Sequence, residues 1–374
     1  RIHLGLERDL VTRHMERLAA VVDWIVPRAR QVSACGLIVT VALTCLTLRL
    51  TPDDWLGNRI DTDSEAYRAM LDCERSFGGI EHLRIVMDWP AAARQTEIFN
   101  VLNEVEQACR DQPVLHSPLS IRQWQDVVPL GFLPQQVRNQ FWRPTARRAQ
   151  VAARHGDLGI ATFAPAVNQL EQRLDELAAK YPGYHFSVLS PAMNRGMMIQ
   201  GVVRELFTSL ALASVVIFTV LAVAFRSLRL GLIAVIPNLF PLVATGGIRL
   251  FWNPTLDIAS ACAFTVCLGI AVDDTIHFLA RYQHESAGEL DLSVALRRTF
   301  VAVGNALVMT TIVLVAGFAS VFVSPLPTHH LFANVACTTI AAALFADLVL
   351  LPALLAAFPG NRTSRRVADP QDAS

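Results

Sequence analysis

The sequence has 374 residues, and its 32 Lys+Arg against 32 Asp+Glu leave no formal net charge. Only 17% of residues are charged and 53% are hydrophobic, where soluble domains carry about 25% charged residues. That balance argues against a purely soluble protein, a disordered chain and a nucleic-acid binder, which needs a basic surplus. Seven cysteines are too few for a disulfide scaffold and match no zinc spacing, so no metal site is expected. The sequence begins with Arg1 rather than Met, which leaves open a processed piece or the later part of a longer chain.

Residues 1–30 read as an amphipathic segment carrying Arg1, Arg8, Arg13, Arg17, Arg28 and Arg30. The first apolar span follows at 31–50, with VSACGLIVTVALTCLTLRL at 32–50. It is no cleavable signal, because the basic segment before it is long and no small-residue cleavage site follows cleanly.

Residues 51–200 have ordinary soluble composition. DSEAYRAMLDCERSF (63–77) reads as a helix opened by Asp63 and stopped by Gly78-Gly79. HLRIVMDW (82–89) alternates like a strand, and EIFNVLNEVEQACR (97–110) is a second amphipathic helix. LGIATFA (158–164) reads as a strand, PAVNQLEQRLDELAAKY (165–181) as a helix and YHFSVLS (184–190) as a strand. The order suggests a ferredoxin-like α+β unit. The Pro- and Arg-rich stretch 111–157 is assigned no element. No Ser-His-Asp set, metal spacing or phosphate loop stands out, so the expected role is binding or gating rather than catalysis. Cys73 and Cys109 lie on the two helices flanking the first strand, which are expected to pack side by side. A disulfide between them and two separate buried thiols both stay open.

Five further spans follow at about 206–225, 230–248, 256–280, 300–323 and 331–358, within a bundle over 201–358, before a tail at 359–374. Each is long enough for a hydrocarbon core of about 30 Å, which takes about 20 helical residues. Pro237 and Pro241 suggest a kink in the third span. The expected fold is a mainly α membrane protein with six transmembrane helices, one plus five, and the α+β domain between the first and second. Arginines gather at 1–30, at Arg226 and Arg229, at Arg281, Arg297 and Arg298, and in the tail at Arg362, Arg365 and Arg366. The alternate loops are poor in basic residues. The positive-inside rule then predicts both termini in the cytoplasm and the 51–200 domain outside.

The segment CLGIAVDDTIHFLARYQHE (267–285) puts Asp273 and Asp274 in an otherwise apolar helix. If Arg281 marks the membrane boundary, Asp273 lies roughly 12 Å deep. An ionised side chain there costs at least about 2.5–3.5 kcal/mol. Two adjacent carboxylates cannot both be comfortably ionised in that medium, so at least one is expected to take up and release a proton. His277, four residues after Asp273, shares its helix face and can relay a proton or hydrogen-bond the carboxylate. Asn305, Thr310 and Thr311 in the fifth span and Asp347 in the sixth are candidate supports of such a relay; helix packing, or for Asp347 a structural role near Pro352, is the competing use.

These features resemble the resistance-nodulation-division (RND) superfamily, and within it the MMPL-type, sterol-sensing-domain-like predicted exporters. The similar stretches are FRSLRLGLIAVIPNLFPLVATGG (225–247), GIAVDDTIHFLARYQHE (269–285), VGNALVMTTIVLVAGF (303–318) and LFADLVLLPALL (344–355), with Phe77-Gly78-Gly79 before a strand and the one-plus-domain-plus-five layout. Members usually carry two such halves, and this chain resembles the second. The resemblance implies proton-motive-force-driven export of a hydrophobic or amphiphilic, lipid-like substrate from a bacterial inner membrane. Asp273 and Asp274 match the proton-relay positions, with protons as the coupling ion and no other cofactor. It also implies a missing N-terminal half, a partner subunit or a homo-oligomer. The alternatives are a lipid-sensing or a protein-translocation accessory subunit of the same superfamily. An intramembrane aspartyl protease pairing one of Asp273 or Asp274 with Asp347 is a third class that fits the layout less well.

Overall fold

The computed structural model describes residues 20–53, 55–125, 132, 134–252, 255–288 and 291–359. Most of the basic N-terminal segment, with Arg1, Arg8, Arg13 and Arg17, and the tail arginines Arg362, Arg365 and Arg366 lie outside the described residues. Helix α1 (Ala29–Thr47) is the first span-length helix; a 3-10 turn at Val26–Arg28 precedes it.

The sheet domain starts with α2 (Glu65–Phe77). The Ser64 side chain accepts from the backbone N–H of Tyr67, one residue later than the Asp63 opening expected, and Gly78 ends the helix at φ 79°. Then come β1 (Glu81–Asp88), α3 (Gln95–Arg110), β2 (His116–Leu119), β3 (Arg148–His155), α4 (Gly159–Lys180) and β4 (His185–Leu189). The strand order is β2-β3-β1-β4 and every neighbouring pair is antiparallel. This β-α-β-β-α-β order is the ferredoxin-like arrangement. Leu83, Ile85 and Met87 point to one face of the sheet and are fully buried against Val101, Leu102 and Val105 of α3 and Leu170 and Leu174 of α4.

Two sequence expectations are corrected here. The third strand is Arg148–His155, inside the stretch that was assigned no element, and LGIATFA is not a strand but the first turns of α4. The start of α4 is held from far away: the N–H of Ile160 donates to the Asp53 carboxylate at 2.7 Å, 107 residues back along the chain. Cys73 and Cys109 do not form a bridge; both are free thiols. Helix α3 packs beside α4 on one face of the sheet, which puts Cys109 in the sheet core, while Cys73 on α2 stays outside it. Burial first, and the Glu106 carboxylate second, push the Cys109 thiol up to about 12.

The bundle follows as α5 (Pro191–Ala224), α6 (Leu228–Trp252), α7 (Ile258–Gly288), α8 (Leu292–Ala319) and α9 (Pro327–Phe345), then a π turn at Ala346–Leu350 and α10 (Leu351–Ala357). Among the described residues six helical stretches are long and apolar enough to cross a membrane. Helices α6, α7 and α9 form the packed centre, whereas α5 and α8 leave their apolar faces almost bare. With 34 residues, α5 is about 51 Å long, more than a bilayer core needs. Its first turns, at Ala192 and Met193, pack on the sheet core, so one continuous helix joins the domain to the bundle. A second tie is the parallel pairing of Thr51–Pro52 with Thr255–Leu256.

Candidate functional site

Helical periodicity decides what each residue of α7 faces. Ala271, Val272, Thr275, Phe278 and Leu279 are buried, while Asp273 and His277 stand on the opposite side with side chains 71% and 68% exposed. His277 Nε2 lies 3.6 Å from Asp273 Oδ1, too long for a formed hydrogen bond but close enough for an ion pair when the ring is protonated. Asp274 is half-buried beside them. These three line an open groove of about 690 Å³ between α7 and α8. Arg281 and His284 close one end, and Leu307 and Thr310 form part of the α8 wall. Arg281 is occupied by Glu285 at 2.6 Å. The Thr310 hydroxyl donates to the carbonyls of Ala306 and Leu307, both at 3.0 Å.

The candidate support residues do not all meet at this groove. Thr310 lines it, whereas Asn305 and Thr311 do not, and Thr311 is buried. Asp347 is inside the bundle, 1% exposed, where Thr275 Oγ1 donates to its Oδ1 at 2.8 Å. Asn238 donates in turn to Thr275 Oγ1 at 3.1 Å. Neither Thr275 nor Asn238 stood out in the sequence; the one available signal was an amide set between Pro237 and Pro241 in an apolar span. A separate apolar cavity of about 370 Å³ opens between α1, α5 and α6, lined by Thr47, Val203, Phe207, Leu210, Leu242 and Phe264, with Arg204 on its wall.

A family model described as the MMPL family matches residues 120–371, well over half of the chain. The chain belongs to the MMPL family. It is also similar to a protein of Methanocaldococcus jannaschii named "Putative membrane protein MJ1562", with 30% identity over 139 residues. That match covers 37% of this chain and 36% of the other, so it spans little more than a third of that relative. This MMPL chain is thus a multi-pass membrane protein whose apolar helices sit in a lipid bilayer.

One further cluster lies where the sheet domain meets α5. His155 is buried and stacks on Phe163 at 4.1 Å. Its Nδ1–H donates to the Gly156 carbonyl at 2.8 Å, and Nε2 sits 3.9 Å from Glu81. Burial pulls the imidazole below its ordinary value and outweighs the nearby Glu81 charge, so the ring is neutral and the 3.9 Å contact is not an ion pair at neutral pH. Glu81 pairs instead with Arg195 of α5 at 2.5 Å. This contact joins the domain's central strand to the helix that continues into the membrane.

Proposed function

We propose that this chain is the half-unit of a proton-motive-force-driven RND-type transporter that exports a hydrophobic or amphiphilic substrate, with Asp273, Asp274 and His277 as its proton relay. The observation that carries the reading is the outward display of Asp273 and His277, with Asp274 half-buried beside them, on a helix of membrane-spanning length. Facing lipid, each ionised carboxylate would cost at least about 2.5–3.5 kcal/mol. The groove therefore needs a second helical surface over α7 and α8, supplied by an N-terminal half of a longer chain, a partner subunit or a second copy. Inside that closed interface one proton moving through 100 mV releases about 2.3 kcal/mol. It can do work only if proton binding differs between two states of the bundle. Helix α5, continuous into the sheet domain and tied to β1 by Glu81 and Arg195, is the connection by which such a change reaches the domain. The apolar cavity between α1, α5 and α6 suits an acyl or other lipid-like moiety. The distribution of arginines supports cytoplasmic termini, with the sheet domain on the far side of a bacterial inner membrane.

The same cavity also suits a lipid-sensing accessory subunit, which would bind lipid without moving protons. Reconstitution of the complete complex in proteoliposomes separates the two. With an imposed pH gradient, amphiphile efflux and proton flux should rise together, and Asp274→Asn should reduce both by more than tenfold. Undiminished transport in the Asp274→Asn complex overturns the relay, and lipid binding without proton flux selects the sensor.

A further inference from the structure

Behind the groove the bundle buries a further carboxylate. Helix α7 turns Asp273 and His277 toward the groove and Thr275 toward the interior, and behind Thr275 lies Asp347. Asp347 belongs to the π turn between α9 and α10, a wide turn of the kind that recurs at functional sites.

The hydrogens of this cluster can be counted. The Thr275 hydroxyl gives its hydrogen to Asp347 Oδ1. The two amide hydrogens of Asn238 go to Thr275 Oγ1 and to the Ala234 carbonyl, at 3.1 and 2.8 Å. Every side-chain donor is then committed, yet Asn238 Oδ1 has no partner although Asn238 is 0% exposed. The cluster is one hydrogen short. Among the described residues no basic side chain pairs with Asp347, and the one charged group that acts on it from the packed helices is Asp274 of α7. An ionised carboxylate in such a place has only the Thr275 hydroxyl to set against a desolvation cost of several kcal/mol. A divalent metal ion would ask for about six oxygen ligands, and the side chains named here offer far fewer. A proton needs only one oxygen and removes the charge.

We propose that Asp347 is a second proton-binding site, closed inside the bundle and distinct from the groove, and that Thr275 is the positioning residue that links its occupancy to Asp274. The linkage rests on the relay reading of the groove; the occupancy of Asp347 does not. Thr275 follows Asp274 directly on α7, so rotation or sliding of that helix moves the groove carboxylate and the donor to Asp347 as one body. A proton held on Asp347 favours the packing in which α6, α7 and the π turn stay joined through Asn238 and Thr275. Its loss leaves a bare charge that loosens them.

The test is infrared spectroscopy of the full chain in lipid nanodiscs at neutral pH, with sodium varied. The expected wild-type spectrum contains a protonated-carboxyl C=O band. The double variant Asp273→Asn/Asp274→Asn keeps that band, and adding Asp347→Asn to it removes the band. Thr275→Val keeps the acid but shifts the band, because the hydroxyl that donates to it is gone; this variant decides the matter should Asp347→Asn not fold. Absence of the band from the wild type, its survival when Asp347→Asn is added to the Asp273→Asn/Asp274→Asn variant, an unmoved band in Thr275→Val, or its displacement by sodium overturns the site. The linkage predicts that the pH at which the band disappears moves in the double variant; an unmoved midpoint overturns the linkage alone. Efflux that withstands Asp274→Asn while the band behaves as expected rejects the relay and leaves the buried site standing.

Discussion

Asp273 and Asp347 of the helical bundle are treated in the opposite way to the paired acids of the sheet domain. In the domain each prominent acid is anchored: Asp88 by Arg148, Glu104 by Lys180, Glu81 by Arg195, and Glu106 by Arg110, Ser120 and Gln123. In the bundle Asp273 has a histidine at 3.6 Å, and Asp347 has a threonine hydroxyl. Cations and hydrogen-bond donors face each member of the first group, so every charge there has a partner. Hydrocarbon and neutral donors surround the second, so holding a charge there is expensive and a proton is the cheapest relief. The difference teaches that acids serving architecture are given counter-ions, whereas acids meant to exchange protons are left without them.

The strongest way to break that contrast is to remove one acid from each region. Glu106 is 1% exposed and accepts from the Ser120 hydroxyl at 2.6 Å and the Gln123 amide at 2.9 Å. Glu106→Ala strands both donors, and the domain should lose about 2–4 kcal/mol, read by denaturant unfolding of the detergent-solubilised chain. Asp273→Asn removes an exposed, unanchored acid and should change stability by less than about 0.5 kcal/mol. Equal losses in the two variants would show that Asp273 is architectural too.

A second test uses pH. The folded domain holds His155 neutral, because burial lowers its proton affinity, whereas the unfolded chain takes a proton near the ordinary value of 6.5. The unfolded state therefore binds more protons as the medium is acidified. Stability is fully present above about 6.5 and falls as pH drops through the lowered folded value. His155→Phe keeps a ring over Phe163 and cannot titrate, so its stability should be flatter across that window. A slope in His155→Phe as steep as the native one would place the acid sensitivity elsewhere.

Much of this molecule was legible beforehand, for physical reasons that differ from part to part. Spans of about 20 apolar residues can hardly be mistaken, since nothing else in a chain requires them. Asp273 and Asp274 announced themselves as charges where charge is costly. Strand β3 was hidden because its buried positions, Ala149, Val151 and Ala153, are mostly small, and only one of the two residues between them, Gln150, is polar, the other being Ala152. The first turns of α4 passed for a strand because the carboxylate that holds them belongs to Asp53, far upstream. Asp347 was visible, but its partners were not. Thr275 is 72 residues from Asp347, Asn238 is 37 from Thr275, and no local pattern encodes contacts across such separations. Which way Asp273 faces depends on the neighbours of α7, so its exposure could not be read from the helix alone.

The smallest expected effect lies at the anchored end of the contrast. Arg148 grips Asp88 with two hydrogen bonds, Nε to Oδ1 at 2.7 Å and a terminal nitrogen to Oδ2 at 2.9 Å. Hydrogen bonding to Arg148 is the first cause that holds the Asp88 carboxyl below its ordinary 3.8. Its contribution is therefore present above 3.8 and lost as pH falls through the lower folded value. Both side chains are open to solvent, so water and salt screen the pair and little net stability remains. Arg148→Gln should lower the unfolding midpoint slightly at neutral pH in low salt. That deficit should shrink in high salt and again in strong acid. A deficit as large as that of Glu106→Ala, or one indifferent to salt, would mean that Arg148 holds the β1–β3 edge by packing rather than by charge, and the rule that domain acids rely on their counter-ions would fail at its most exposed member.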